Sequence, residues 1–199
     1  MTAGLAAAAF LSLAACSPIR LIESASLISD LGTPAPTDPS IDRQEISYGI
    51  EDRPRIADLY RPARVKAGLV LVPGVTPQGR DDPRLVAFAG TLARAGFAVL
   101  IPEVAGLRAL RVAPEDVAVI IDAVRQLSGA GELTPVPVGI VGISYAAGPA
   151  LLAALASETR TRIAFAVTLG GYYDLEAVIA SFVTGPSHRR AGVRHRGLG

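Results

Sequence analysis

Ser144 is the residue whose surroundings best fit a site of covalent chemistry. It sits in Gly142-Ile143-Ser144-Tyr145-Ala146, at the junction between an apolar run and an Ala/Leu-rich segment of helical character. A glycine two residues before a serine lets a chain leave a strand sharply without a Cβ clash. The serine then occupies a strained corner with its hydroxyl clear of the backbone, the arrangement an acyl-transfer nucleophile needs. Such motifs usually carry glycine at the last position; here it is Ala146, a small residue that still permits close strand–helix approach. The plainer reading of Ser144 is a helix cap, for which serine is equally suited. Acyl transfer also requires amide donors for the developing oxyanion. One candidate is the N–H of Tyr145, in the first turn of the following helix, where amides lack intrahelical partners. The other is the N–H of Val75, in the segment Pro73-Gly74-Val75-Thr76-Pro77-Gln78-Gly79, which can equally be an ordinary strand-to-helix loop.

The elements that must hold these residues follow from hydrophobic period. Ile46, Tyr48 and Ile50 alternate with polar or small residues, as a half-buried strand does, and a second strand is expected over 56–60, with Asp52-Arg53-Pro54 as the turn between them. Residues 67–72, 97–102 and 136–143 are short apolar runs of the kind buried in a parallel sheet, and 163–169 is expected to be another strand. Between them lie helical patterns. Asp82-Pro83 predicts a cap with proline at the first helical position, followed by Leu85, Phe88, Ala89 and Leu92 on one face and a stop at Gly96. Pro114-Glu115-Asp116 opens a second helix whose apolar face is Val117, Ile120, Ile121, Val124 and Leu127. Further helices are expected over 145–157 and 174–182. Strict strand–helix alternation after two initial strands predicts an α/β fold: a mostly parallel sheet with helices on both faces.

Strand 67–72 ending in Pro73-Gly74, strand 97–102, the corner at Ser144 and the strand end Leu169-Gly170-Gly171 together resemble the α/β-hydrolase superfamily. The segment Asp58-Leu59-Tyr60-Arg61-Pro62 is similar to its early antiparallel strand. The serine-esterase and dienelactone-hydrolase-like branches are the most similar, over roughly residues 43–185. The resemblance implies hydrolysis of an ester or similar acyl bond in a small-molecule substrate, through a Ser144 acyl-enzyme and without a cofactor. Dienelactone hydrolase carries cysteine at this corner, so serine favours the esterase side.

The resemblance also implies an acid and then a histidine after the serine. Here no histidine occurs before His188, and the other is His195. Asp174 is the candidate acid, or else simply a helix cap. Glu103, after Ile101-Pro102, either lines the pocket or is a solvated loop carboxylate. Residues 185–199 form a basic tail with no acidic residue and no strand or helix pattern. It is expected to be unstructured and foreign to the fold, with the closing strands missing, or else a native basic tail. On the first expectation the chain lacks its acid and histidine and is inactive as a catalyst, retaining at most the residual rate of an oxyanion site. The alternative to an enzyme is therefore a non-catalytic, truncated hydrolase-fold lipoprotein, either a binding module or a nonfunctional product.

At the other end, residues 3–15 are an uncharged alanine-rich run, shorter than the roughly 20 apolar residues of a membrane-spanning helix. The run has the length of a signal-peptide core. Leu13-Ala14-Ala15-Cys16 resembles a bacterial lipobox, which implies lipidation of Cys16, export, and attachment to the cell membrane or outer membrane facing the periplasm. An ordinary signal peptide or a buried terminal helix are the other readings. The expected organisation is a signal over 1–15, a Pro/Ser/Thr-rich tether over 16–42, the α/β domain over 43–184 and the tail. Cys16 is the sole cysteine, which excludes an intrachain disulfide. A net charge of +1 gives no global field for nucleic acid. No phosphate-binding glycine loop and no metal-ligand spacing is present.

Overall fold

The computed structural model describes residues 41–111, 113–129 and 137–172. Cys16, the expected signal, the expected tether up to residue 40, Asp174 and the helix expected over 174–182, His188, His195 and the tail lie outside the described residues, and the last tether position, Asp42, begins the first strand.

Among the described residues six strands form one sheet: β1 (Asp42–Ile50), β2 (Arg53–Arg61), β3 (Ala67–Val72), β4 (Phe97–Pro102), β5 (Val138–Ile143) and β6 (Ile163–Leu169), in the spatial order β1-β2-β4-β3-β5-β6. β4, β3, β5 and β6 run parallel, and β2 and then β1 add antiparallel at one edge. Among the described residues four α-helices accompany them: α1 (Pro83–Arg94), α2 (Ala105–Arg108), α3 (Glu115–Gly129) and α4 (Ala147–Leu155). This is the α/β architecture that the alternation of periods predicts.

Strand pleating sorts the core. Along β3, Val70 and Val72 face one side and Leu69 and Leu71 the other. The first side packs with Leu100, Ile140 and the α3 residues Ile120, Val124 and Leu127, together with Ala150 and Ala153 of α4. The second packs with Val99, Ile101, Val141 and the α1 residues Leu85, Ala89 and Leu92. Helices therefore cover both faces, α3 and α4 on one and α1 on the other. That explains why β3, β4 and β5 read as continuous apolar runs.

The antiparallel hairpin differs from expectation in detail. Its strands are longer, and the turn is Glu51-Asp52, with φ of 51° and 61°, not Asp52-Arg53-Pro54. A two-residue turn with both central φ values positive matches the strand twist, and this moves Arg53 and Pro54 into β2. Pro54 is tolerated there because β4 pairs with β2 only from Ala57 onward. Asp122 of α3 is fully buried and accepts from Arg53 and Arg55 of β2, tying the hairpin to the helix layer.

β6 is the contrasting strand. It pairs with β5, yet Phe165, Val167 and Leu169 remain about 40% exposed on the α1 side of the sheet, and Leu151, Leu152 and Leu155 of α4 are exposed on the other. Among the described residues no strand pairs with the outer edge of β6.

Candidate active site

β5 ends at Ile143 with extended geometry, and Ser144 then turns to φ +54°. Ser144–Ala146 form one 3-10 turn, and α4 proper begins at Ala147, slightly later than the helix expected from Tyr145. A non-glycine residue in the left-handed region costs about 1–2 kcal/mol and persists only where its surroundings impose it. Those surroundings are visible at Gly142. A Cβ there would stand 2.7 Å from the Ala146 carbonyl oxygen, 2.9 Å from Ala147 Cα and 2.8 Å from Ala150 Cβ. The helix start folds back over the bare Gly142 backbone, and Ala146 is fully buried in that contact. The chain has room for this only because residue 142 lacks a side chain. Ser144 is left exposed at the apex.

The loop after β3 passes directly alongside. A Cβ on Gly74 would lie 3.3 Å from the Ile143 carbonyl oxygen and 3.4 Å from Ser144 Cβ. The next amide, that of Val75, donates to no backbone carbonyl among the described residues. A cleft of about 430 Å³ opens here, with Ser144 and Ile143 on one side, Gly74, Val75 and Thr76 on another, and α1 closing the third. The structure thus brings together Ser144 and Val75, as expected. Tyr145 does not line the cleft. Its backbone amide follows Ser144, while its ring stacks on Tyr172 at 5.9 Å, and Tyr172 Oη donates to the Tyr145 carbonyl at 3.3 Å. The exit of β6 is thereby tied to the serine corner.

Glu103 does not line the cleft either. Its carboxylate accepts from Arg80 and Arg108 on the outer side of the Val75 loop. Arg84, Leu85 and Phe88 of α1 do line it, and sequence reasoning assigned them no role there. Helical spacing marks Leu85 and Phe88 as inward-facing, but not that their turn of α1 opens onto the serine.

Asp82 caps α1, accepting from the Arg84 amide at 3.0 Å, with Pro83 next, as the Asp-Pro pair predicts. Its carboxylate also takes two bonds from the Arg84 guanidinium, and these bonds, opposed by burial, lower its pKa from the ordinary 3.8 to about 2. A depressed carboxylate pKa contributes stability that is complete above pH 3.8 and is lost as pH falls through about 2. The Arg84 side chain is almost fully exposed, so solvent screening discounts what its two bonds add to stability. Asp82→Ala is expected to cost about 1 kcal/mol at pH 6. The gap between wild type and variant should narrow from pH 4 toward pH 2.5, as urea midpoints measured across that range would show. A gap that stays constant or widens on acidification would contradict the assignment.

Among the described residues no cluster of His, Cys, Asp and Glu is arranged to hold a metal ion.

No family model and no curated protein matches the chain. Solved structures do. A dienelactone hydrolase from Anabaena variabilis superposes with a TM-score of 0.58 and 23% identity, over 72% of this chain and 70% of that one. Carboxyl esterase 2 from the mycorrhizal fungus Tuber melanosporum gives 0.55 at 19% identity, over 77% and 52% of the two chains. A cold-adapted esterase from an Arctic intertidal metagenomic library gives 0.51 at 16% identity, over 67% and 62%. At these identities the likeness establishes the fold, which is the α/β-hydrolase fold. The chain spans about half to two-thirds of the two esterases.

Proposed function

We propose that the protein is a serine hydrolase of ester or similar acyl bonds, with Ser144 as nucleophile. The observation that carries this reading is an exposed serine held at φ +54° on the floor of a cleft, beside a loop whose Val75 amide has no backbone acceptor among the described residues. The esterases of the same fold support it. Ser144 Oγ would give its proton to a base and bond to the substrate carbonyl carbon. The carbonyl oxygen, now negative, would accept from the amides of Val75 and Tyr145. Collapse would expel the alcohol, which takes up the proton, and water would then cleave the acyl–Oγ ester. The cleft volume falls within the roughly 300–1,000 Å³ of small-molecule sites. Asp174 is the proposed acid, and Cys16 the proposed lipid attachment point that would hold the domain at a membrane facing the periplasm.

A second reading has its own observation. The described residues contain no histidine, so no imidazole base stands beside Ser144 among them; His188 and His195 lie outside them. On that reading the chain is a hydrolase-fold lipoprotein that binds acyl compounds without turning them over. The full chain incubated with a fluorophosphonate probe separates the two. A single adduct mapped by peptide mass spectrometry to Ser144 is expected, since phosphonylation needs the activated hydroxyl and its oxyanion donors. Absence of any adduct at millimolar probe would leave the binding module.

A further inference from the structure

The loop bearing Val75 is anchored from its outer side by an ion network that the proposed chemistry does not use. After Gln78, residues Gly79–Asp81 make a single 3-10 turn before α1 begins, and Gly79 adopts φ +55°. Arg80 leaves this turn away from the cleft and spreads its guanidinium over three carboxylates: Glu45 of β1, Asp58 of β2 and Glu103 at the exit of β4. Asp58 is 3% exposed and Arg80 13%, so the Arg80–Asp58 bond is shielded from solvent as rim pairs are not, whereas the Glu45 arm is exposed. The next residue, Asp81, accepts from Arg43 of β1 and from Arg108 of α2 at 3.3 Å each, and Arg43 in turn reaches Asp58 at 2.8 Å. Arg108 also reaches Glu103 at 3.3 Å, and its methylene stem packs 3.4 Å from the place a Cβ would take on Gly79. Burial alone would lower the Arg80 pKa, but its bonds to Glu45 and Glu103 and the field of Asp58 outweigh this and raise it, so it is a permanent cation.

We propose that Arg80 is a positioning residue for the oxyanion loop, fixing residues 73–79 against Ser144 by clamping the loop's far end to β1, β2 and β4. The proposal rests on the reading of Ser144 given above. On the cleft side the loop touches the serine corner through Gly74, which has no side chain to grip with. The loop's internal backbone bonds are few, Gly79 N–H to the Thr76 carbonyl at 3.0 Å, Asp81 N–H to that of Gln78 at 3.0 Å and Asp82 N–H to that of Gly79 at 3.3 Å, and the side-chain bonds are those of Thr76 with Gln78 and Asp82. A short turn with so few bonds opens readily unless tied down. Arg80 can tie it because a planar fork meets three carboxylates at once, whereas a lysine ammonium acts as a point charge and meets them less well.

The test uses the full-length chain and two independent readouts: hydrogen exchange of the peptide spanning 76–84, and the rate of fluorophosphonate addition to Ser144. In Arg80→Met the exchange of that peptide is expected to rise about tenfold while peptides from β5 and α3 are unchanged, and labelling should slow about tenfold. Arg80→Lys should fall between wild type and Arg80→Met on both. Glu45→Gln removes only the exposed arm of the clamp, leaves the fold intact, and should raise exchange about threefold, which keeps the question answerable should Arg80→Met fail to fold. Unchanged exchange in these variants would overturn the clamp, and faster exchange with unchanged labelling would overturn its link to Ser144. A wild-type chain that never labels would instead remove the hydrolase reading, and with it the link, while the exchange data still decided whether Arg80 holds the loop.

Discussion

Replacing Ser144 by glycine is expected to abolish fluorophosphonate labelling and ester turnover while leaving the fold as stable as before or slightly more so. The two halves of this result have separate causes. Without Oγ there is no atom to form the acyl or phosphonyl bond, so covalent labelling falls below detection. Any remaining hydrolysis would be only what the cleft and its amides provide by binding. Stability turns on the backbone. Ser144 sits at φ +54°, a region that costs an ordinary residue about 1–2 kcal/mol and costs glycine almost nothing. Against that relief stands the extra freedom glycine gives the unfolded chain, roughly 0.5–1 kcal/mol. The difference leaves Ser144→Gly between neutral and about 1.5 kcal/mol more stable. Ser144→Ala should lose labelling equally but gain nothing, because alanine keeps the strained φ. Paired urea titrations of the three proteins give the comparison. A loss of more than about 1 kcal/mol in Ser144→Gly would mean that the corner is not strained, or that the hydroxyl serves as a structural cap.

The second large effect is expected at Gly142, where alanine should damage both the fold and the reactivity of Ser144. The obstacles to a Cβ are the Ala146 carbonyl oxygen at 2.7 Å and Ala147 Cα at 2.9 Å, both backbone atoms that cannot rotate aside. Relief requires α4 to shift away from β5. Overpacking of a tight core costs about 1–3 kcal/mol, and contact with two backbone atoms of the helix start places Gly142→Ala at the upper end. A shift of the helix start also moves Ser144 relative to the Val75 amide. A displacement of about 1 Å can cost on the order of 100-fold in rate, so labelling should slow by about that factor even in the fraction that remains folded. Gly90→Ala is the control. Gly90 lies within α1, and a Cβ there meets nothing closer than the mobile end of Arg94 at 3.8 Å. That change should stabilise by about 0.5–1 kcal/mol through helix propensity alone and leave labelling untouched. Equal behaviour of the two glycine variants would remove the argument that the serine corner depends on an empty position at 142.

The Arg80 and Asp82 predictions concern the same wall of the cleft from opposite ends of one short turn. Asp82 secures the start of α1, and Arg80 secures the turn before it. Their expected signatures differ: acid-dependent stability for Asp82, and local exchange with slower labelling for Arg80.

How much of this was legible without coordinates varies with the range of the interaction. The parallel strands over 67–72 and 97–102 have the limits their apolar runs predict, because burial on both faces is written into every residue of such a strand; 163–169 also has its expected limits, but is largely exposed among the described residues. The start of α1 was legible in Asp82-Pro83, since a cap and a fixed φ act within a single turn. The serine corner was legible for the same reason: glycine, serine and a small residue at that spacing form a local geometric statement. The hairpin turn was misplaced by one residue, because a positive-φ pair at Glu51-Asp52 carries no glycine or asparagine to announce it. The arginine clamp was not legible at all. Arg43, Glu45, Asp58, Arg80, Glu103 and Arg108 are far apart along the chain, and charges carry no period that reveals their partners. Nor could sequence say that Arg84 and Phe88 face the serine, since that depends on the angle at which α1 crosses the sheet. The chain by itself determined the strand–helix alternation, the two-sided core and the corner at Ser144, all set by sterics and hydrophobic burial acting between near neighbours. Tertiary structure alone decided which loop lies against that corner, what clamps it and which helix walls the cleft, because those contacts join residues whose proximity arises only when the sheet assembles in its own strand order.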